Sequence, residues 1–284
     1  MDLLACHEVL TPASVHTQET FYADVDDILA NLYVRERRNM PLSDYVVRVQ
    51  THGMKRSWRS QVYDWLVSIA NTADFEPLTV ALAINYLDRY LSVVSIKQSE
   101  LELLALVCML CASKFNEKDC LSVAEVGQMV DSKYTASQVA AVERALMKTL
   151  GWNLHVITPQ HFLDSWIALM DPSSAAEVSV LCAKMLPKVS RDVTSLKFAP
   201  SEIAYSVLSL ALQQLQLSAC TPTYAGTSDR LVECEEIVEV IMQGKASNGA
   251  QRPKPSKRAA SPTNVEDFDA ATSPARQRPR PASS

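Results

Sequence analysis

The sequence predicts an all-α protein, helical throughout its body with a disordered tail behind, and three observations predict that class. Long stretches carry apolar residues at 3.6-residue spacing, as in the run 80–115. The chain has only six glycines, and Asn-Gly or Gly-Gly hairpin signals are scarce. With 48% hydrophobic residues in 284, it exceeds one average domain and can bury a substantial core.

Residues 1–20 read as a flexible segment and 21–53 as a helical lead-in. Within the lead-in, residues 24–37 place Val25, Ile28, Leu29 and Leu32 on one face, with Arg35, Arg37 and Arg38 near the end, ahead of Pro41. A second short helix begins near Ser43. The first main unit is expected over 54–152. Its opening helix, 55–70, has Trp58, Val62, Trp65, Leu66 and Ile69 as apolar positions and carries Arg59 and Asp64. Pro77 suits the first turn of the next. Two central helices follow, one marked by Val80, Ile84, Leu87 and Leu91, the other by Leu101, Leu104, Cys108, Cys111 and Phe115. Each is apolar over more than one stripe, so both should be wrapped by other helices. Residues 123–130 and 136–150 complete the five, and Gly151 supplies the C-cap. The second unit, 153–243, has helices expected at 161–169, 175–186, 201–217 and 229–242, with Pro200 opening the third of these.

The tail, 244–284, holds six of the fourteen prolines, one aromatic residue, and eight basic against three acidic side chains. The rest of the chain therefore has 19 basic against 29 acidic, a net of −10 and a poor nucleic-acid surface. Seven cysteines, mostly in apolar helical runs, read as buried thiols of a reducing compartment. Cys108 and Cys111 form a C-x-x-C in mid-helix without the second ligand pair that zinc requires, so neither a metal nor a cofactor is expected. MDLLACHEVL lacks the basic n-region of a secretory leader, and no run of 18 apolar residues would span a membrane. Nucleus and cytoplasm are the expected locations. No Walker loop, G-x-G-x-x-G, H-E-x-x-H or G-x-S-x-G is present to support an enzyme.

Charge inside so apolar a frame needs a partner. Arg59 and Asp88 lie on two different apolar helices, and a bidentate bridge would bury both. Lys114 ends one helix and Glu143 interrupts the apolar side of another, four residues before Met147. Spacing alone leaves two readings equally open: a lysine answering its helix dipole beside a solvated glutamate, or a charged binding centre. Leu4, Cys6 and Glu8 form an L-x-C-x-E, which reads as an unstructured leader or as an extended peptide that seats Leu4 and Cys6 in a partner's pockets.

Asn85-Tyr86-Leu87-Asp88-Arg89-Tyr90-Leu91-Ser92, Ala112-Ser113-Lys114-Phe115, and Leu150-Gly151-Trp152-Asn153-Leu154 with Thr158-Pro159 together resemble the cyclin family, most closely its animal D-type members. The resemblance covers about residues 20–243, and the five positions that mark a cyclin box are matched by Arg59, Asp88, Leu103, Lys114 and Glu143. It implies tandem five-helix cyclin folds and a non-catalytic subunit that activates a cyclin-dependent protein kinase at the G1/S transition. In that reading Arg59, Asp88 and Leu103 are structural. Lys114 and Glu143 form the charged centre of the kinase-binding face, surrounded by Cys111, Phe115, Met147 and Leu154. Leu4, Cys6 and Glu8 engage retinoblastoma-type pocket proteins, and Ser261 or Ser273, each before proline, are candidate phosphorylation sites. A substrate-docking patch would use Trp58, Val62, Trp65 and Leu101 and would also take kinase inhibitors, although Gln61 stands where an aliphatic residue is usual. The alternative is a cyclin-fold transcription factor or a transcriptional cyclin acting at promoters.

Overall fold

In a computed structural model, residues 18–130, 133–217, 222, 224 and 228–244 are described, and among them no strand occurs. These described residues form eleven α-helices: α1 Gln18–Arg35, α2 Tyr45–Arg48, α3 Arg56–Ala73, α4 Pro77–Leu91, α5 Gln98–Asn116, α6 Val123–Met129, α7 Ala136–Thr149, α8 Pro159–Ala168, α9 Pro172–Arg191, α10 Pro200–Gln214 and α11 Ser228–Met242. Short 3-10 helices occupy Glu36–Asn39 and Val193–Lys197. The described residues fall into two compact units. One holds Pro41–Val156 with Arg191–Leu196; the other holds the described part of Met1–Met40, with Ile157–Ser190 and the described part of Lys197–Ala246.

The first unit is arranged around α5. All of its residues from Leu101 to Ser113 are buried, including Glu102, so the helix presents no solvent face along that length. Local chemistry sets its limits. At the start, the Glu100 carboxylate accepts the Lys97 N–H at 2.8 Å. At the end, the Ser113 hydroxyl accepts the Leu121 N–H at 3.2 Å and holds the following loop. Capping boxes open the next two helices, Ser122 with Glu125 for α6 and Thr135 with Gln138 for α7. Glu102, only 2% exposed, accepts from Lys133 Nζ at 2.5 Å and from the Tyr134 hydroxyl at 2.7 Å, tying the α6–α7 connection to α5.

Arg59 on α3 and Asp88 on α4 are each 1% exposed. They form a bidentate bridge, Nε to Oδ1 at 2.9 Å and Nη2 to Oδ2 at 2.8 Å. The Tyr45 hydroxyl adds a third donor to Oδ1 at 2.9 Å, and Arg59 Nη1 donates to the Arg191 carbonyl at 3.0 Å. Burial by itself would lower the basicity of Arg59, but the charge and hydrogen bonds of Asp88 outweigh it and raise it instead. Burial, with the Asp88 charge behind it, lifts Tyr45 well above the ordinary phenol range.

In the second unit α1 packs by Leu32 into a core shared with Phe162, Trp166, Met185 and Leu208. Rings run through it in sequence: Tyr33 to Phe162 at 5.1 Å between centroids, Phe162 to Trp166 at 5.6 Å, Trp166 to Tyr205 at 6.0 Å and Tyr205 to Tyr224 at 5.1 Å. Glu36, 5% exposed, accepts both the backbone N–H and the hydroxyl of Ser201 and so caps α10. The helix expected to stop at residue 186 instead continues through Pro187 to Arg191. Proline removes one N–H, but Val189 is 1% exposed and its burial favours another turn.

Asp88→Ala should strand a buried guanidinium and phenol and lower the unfolding free energy by about 3–5 kcal/mol. Replacing the pair together, Arg59→Met with Asp88→Leu, should recover most of it. Urea denaturation of the two variants measures the difference; equal losses would mean that the bridge does not matter to folding.

Candidate functional site

Outside its enclosed length, helix α5 meets solvent in its first turn, at Ser99 and Glu100, and again in its last. There Lys114 follows Cys111 by three residues and Phe115 by four, so all three lie on one side. α7 packs alongside, with Glu143 and Met147 one turn apart on the facing side. Lys114 Nζ lies 2.7 Å from Glu143 Oε1, with the two side chains 42% and 27% exposed. The pair is therefore formed at the surface, where a partner could reach it. Cys111 contributes its thiol to the same carboxylate oxygen at 3.8 Å. Burial first, and the Glu143 charge second, push the Cys111 thiol up to about 12, so it stays protonated and can donate.

Around this centre Phe115 is 47% exposed, while Met147 and Leu154 are half-buried against the core. The surface thus combines one ion pair with an exposed apolar ring and half-buried aliphatic side chains, the composition of a binding face rather than of a reaction centre. Sequence reasoning counts Trp152 in the Leu150–Leu154 motif of the family resemblance but gives it no role of its own. It is 74% exposed, just past the end of α7 and two residues before Leu154, and its backbone N–H closes the helix on the Met147 carbonyl at 3.0 Å. The signal that could have found it is a large aromatic directly after a C-cap glycine. Tyr45 is the other omission, since it lies 43 residues from the carboxylate it serves.

Leu103 is 9% exposed, in the core of the unit that also holds Arg59 and Asp88. Of the expected docking patch, Trp58, Val62, Trp65 and Leu101 are 9%, 0%, 7% and 1% exposed, so all four pack into the core of the first unit. The apolar stripe of α3 faces inward; periodicity marks such a stripe without saying what covers it. Leu4, Cys6, Glu8, Ser261 and Ser273 lie outside the described residues. Among the described residues no cluster of three or more His, Cys, Asp or Glu side chains is set to hold a metal, and no helix is long and apolar enough to cross a membrane.

A family model described as the cyclin N-terminal domain matches residues 27–155, which takes in α3 to α7 and the face just described. G2/mitotic-specific cyclin-A of Hydra viridissima is 34% identical over 231 residues, 79% of this chain and 54% of that protein, so the chain spans about half the length of this relative. G1/S-specific cyclin-D2 of Mus musculus is 27% identical over 261 residues, 88% of this chain and 90% of that protein. The chain belongs to the cyclin family. D-type and A-type cyclins both figure among its relatives. A viral cyclin from herpesvirus saimiri shares the fold, with a TM-score of 0.62 at 12% identity over 77% of this chain and 96% of the viral one. In this cyclin the five-helix unit delivers Lys114, Glu143 and their apolar surround to one surface.

Because burial holds the thiols of Cys108 and Cys111 up while Cys120 is exposed, labelling of the folded cyclin with iodoacetamide at about pH 8 should modify Cys120 and spare the other two. Peptide mapping by mass spectrometry reads the result. Fast modification of Cys111 in the folded chain would contradict the closed packing of α5 on α7.

Proposed function

We propose that this cyclin is a D-type, non-catalytic subunit that binds and activates a cyclin-dependent protein kinase at the G1/S transition and directs it to retinoblastoma-type pocket proteins. The observation that carries the reading is the Lys114–Glu143 pair, formed at 2.7 Å on an accessible, largely apolar face of the family-matched region. The D-type assignment is supported by the match to mouse G1/S-specific cyclin-D2, which runs over 90% of that protein. The L-x-C-x-E of Leu4, Cys6 and Glu8 supports it too.

The mechanism is positional. A protein kinase is active only with its Lys–Glu ion pair assembled and its activation loop displaced, and both depend on where one mobile helix sits. A rigid surface that binds the inward position of that helix better than the outward one shifts the kinase towards its active state by that difference in affinity. Lys114 and Glu143 would make charge-assisted hydrogen bonds to the helix, and Phe115, Met147 and Leu154 would cover its apolar side. Leu4, Cys6 and Glu8 would raise the local concentration of the pocket-protein substrate. Phosphorylation of Ser261 or Ser273 in the tail would regulate passage between nucleus and cytoplasm.

Lys114→Glu places like charges side by side at the centre of the face and should weaken kinase pairing on the order of 100-fold or more. Cys6→Gly should leave pairing intact and lower phosphorylation of a pocket-protein fragment, with little change towards a generic peptide. Co-purification with candidate kinases followed by the two kinase assays tests both. Normal pairing of the Lys114→Glu chain would sink the assignment of this face.

A further inference from the structure

The bridge to Arg59 accounts for Asp88 but gives its neighbour Arg89 no part in the face. Arg89 is half-buried on α4, and its guanidinium reaches the segment that leaves α7. Nη2 donates to the Leu150 carbonyl at 3.2 Å and Nη1 to the Asn153 carbonyl at 2.9 Å. One turn earlier on the same helix, Tyr86, with none of its surface exposed, donates its hydroxyl to the Leu154 carbonyl at 2.7 Å. Two side chains of α4 thus hold three carbonyls of a five-residue segment.

Those carbonyls flank a strained step. Gly151 and Trp152 both have φ of +60°. Glycine adopts that conformation at no steric cost, whereas a bulky residue there is an outlier that persists only where its surroundings over-determine it. The outcome is a tryptophan that stands 74% exposed, two residues before Leu154. The three remaining tryptophans, Trp58, Trp65 and Trp166, are buried. Burial lifts Tyr86 above its ordinary range, so it remains a phenol able to donate, and burial lowers Arg89 without removing its charge.

We infer that Tyr86 and Arg89 are positioning residues, which hold the 150–154 segment so that Trp152 projects as a rigid anchor for an apolar pocket on the partner kinase. The inference rests on the kinase-binding reading above. It turns the α7 exit into a preformed part of the face, whose ordering cost is met when the chain folds and not when the partner arrives.

The test is a double-mutant cycle on the full chain, titrated with a cyclin-dependent kinase that the wild type binds and Lys114→Glu does not. Tyr86→Phe should weaken pairing about threefold and Arg89→Met about tenfold. Trp152→Ala should weaken it about thirtyfold, and adding Arg89→Met to that variant should cost less than about twofold more. Acrylamide should quench the Trp152 emission of the free protein and lose access to it in the complex. Equal losses from Arg89→Met with and without Trp152 would reduce Arg89 to a support of the fold and overturn the inference. Continued quenching of Trp152 in the complex would overturn it as well. Should Arg89→Met fail to fold, the same cycle run with Tyr86→Phe, which deletes one hydroxyl, decides. A wild-type chain without affinity for any such kinase would instead defeat the broader reading, which keeps the two failures apart.

Discussion

Two opposite charges, each with 1% of its surface exposed, set the frame of the first unit. A lone guanidinium or carboxylate in that position would be prohibitively unstable, so α3 and α4 can pack only in the register that joins Arg59 to Asp88. Tyr45 takes a further lone pair of the carboxylate, and a backbone carbonyl takes the free end of the guanidinium. The network is thereby satisfied on every side that the packing closes off from water. An apolar pair of the same volume could match its stability; what the ions add is that slipped registers leave them unpaired.

From that register the rest of the unit follows. With α3 and α4 fixed, α5 lies between α4 and α7 and is enclosed from Leu101 to Ser113. Enclosure makes α5 rigid, and it leaves only the two end turns of the helix in contact with solvent. Lys114 and Phe115 occur at the last of these, the first two residues past the final buried position. The proposed mechanism needs a surface that does not yield to its partner, and a helix held all round provides one.

Much of this was legible in the residues themselves, and what was not has identifiable physical causes. Pro77 and Pro200 mark helix starts because proline's missing N–H costs nothing there, and Gly151 marks a stop because glycine tolerates φ > 0. The pairing of Arg59 with Asp88 could be anticipated, since each is a charge in an apolar helix. Tyr45 could not, because a tyrosine in a four-residue helix carries no sign of a partner so distant in sequence. Lys114 and Glu143 were ambiguous by spacing, as packing of α5 on α7 decides whether they meet. The extension of α9 past Pro187 escaped local rules because the core gains Val189. The stripe of Trp58, Val62 and Trp65 was visible as apolar, but pattern alone says nothing about which neighbour covers it. Trp152 depends on a backbone angle, and that angle on carbonyl contacts to α4.

The chain of rings in the second unit has a consequence of its own. Tyr33, Phe162, Trp166, Tyr205 and Tyr224 are fixed at unequal tilts, between 40° and 85°, within about one ring diameter of each other. Asymmetric, closely coupled chromophores of this kind absorb left- and right-circularly polarised ultraviolet light unequally, and the effect vanishes once the rings tumble. The unit around α8 and α10 thus has an optical signature of its own packing, which adds to that of the buried Trp58 and Trp65 in the unit that carries the binding face.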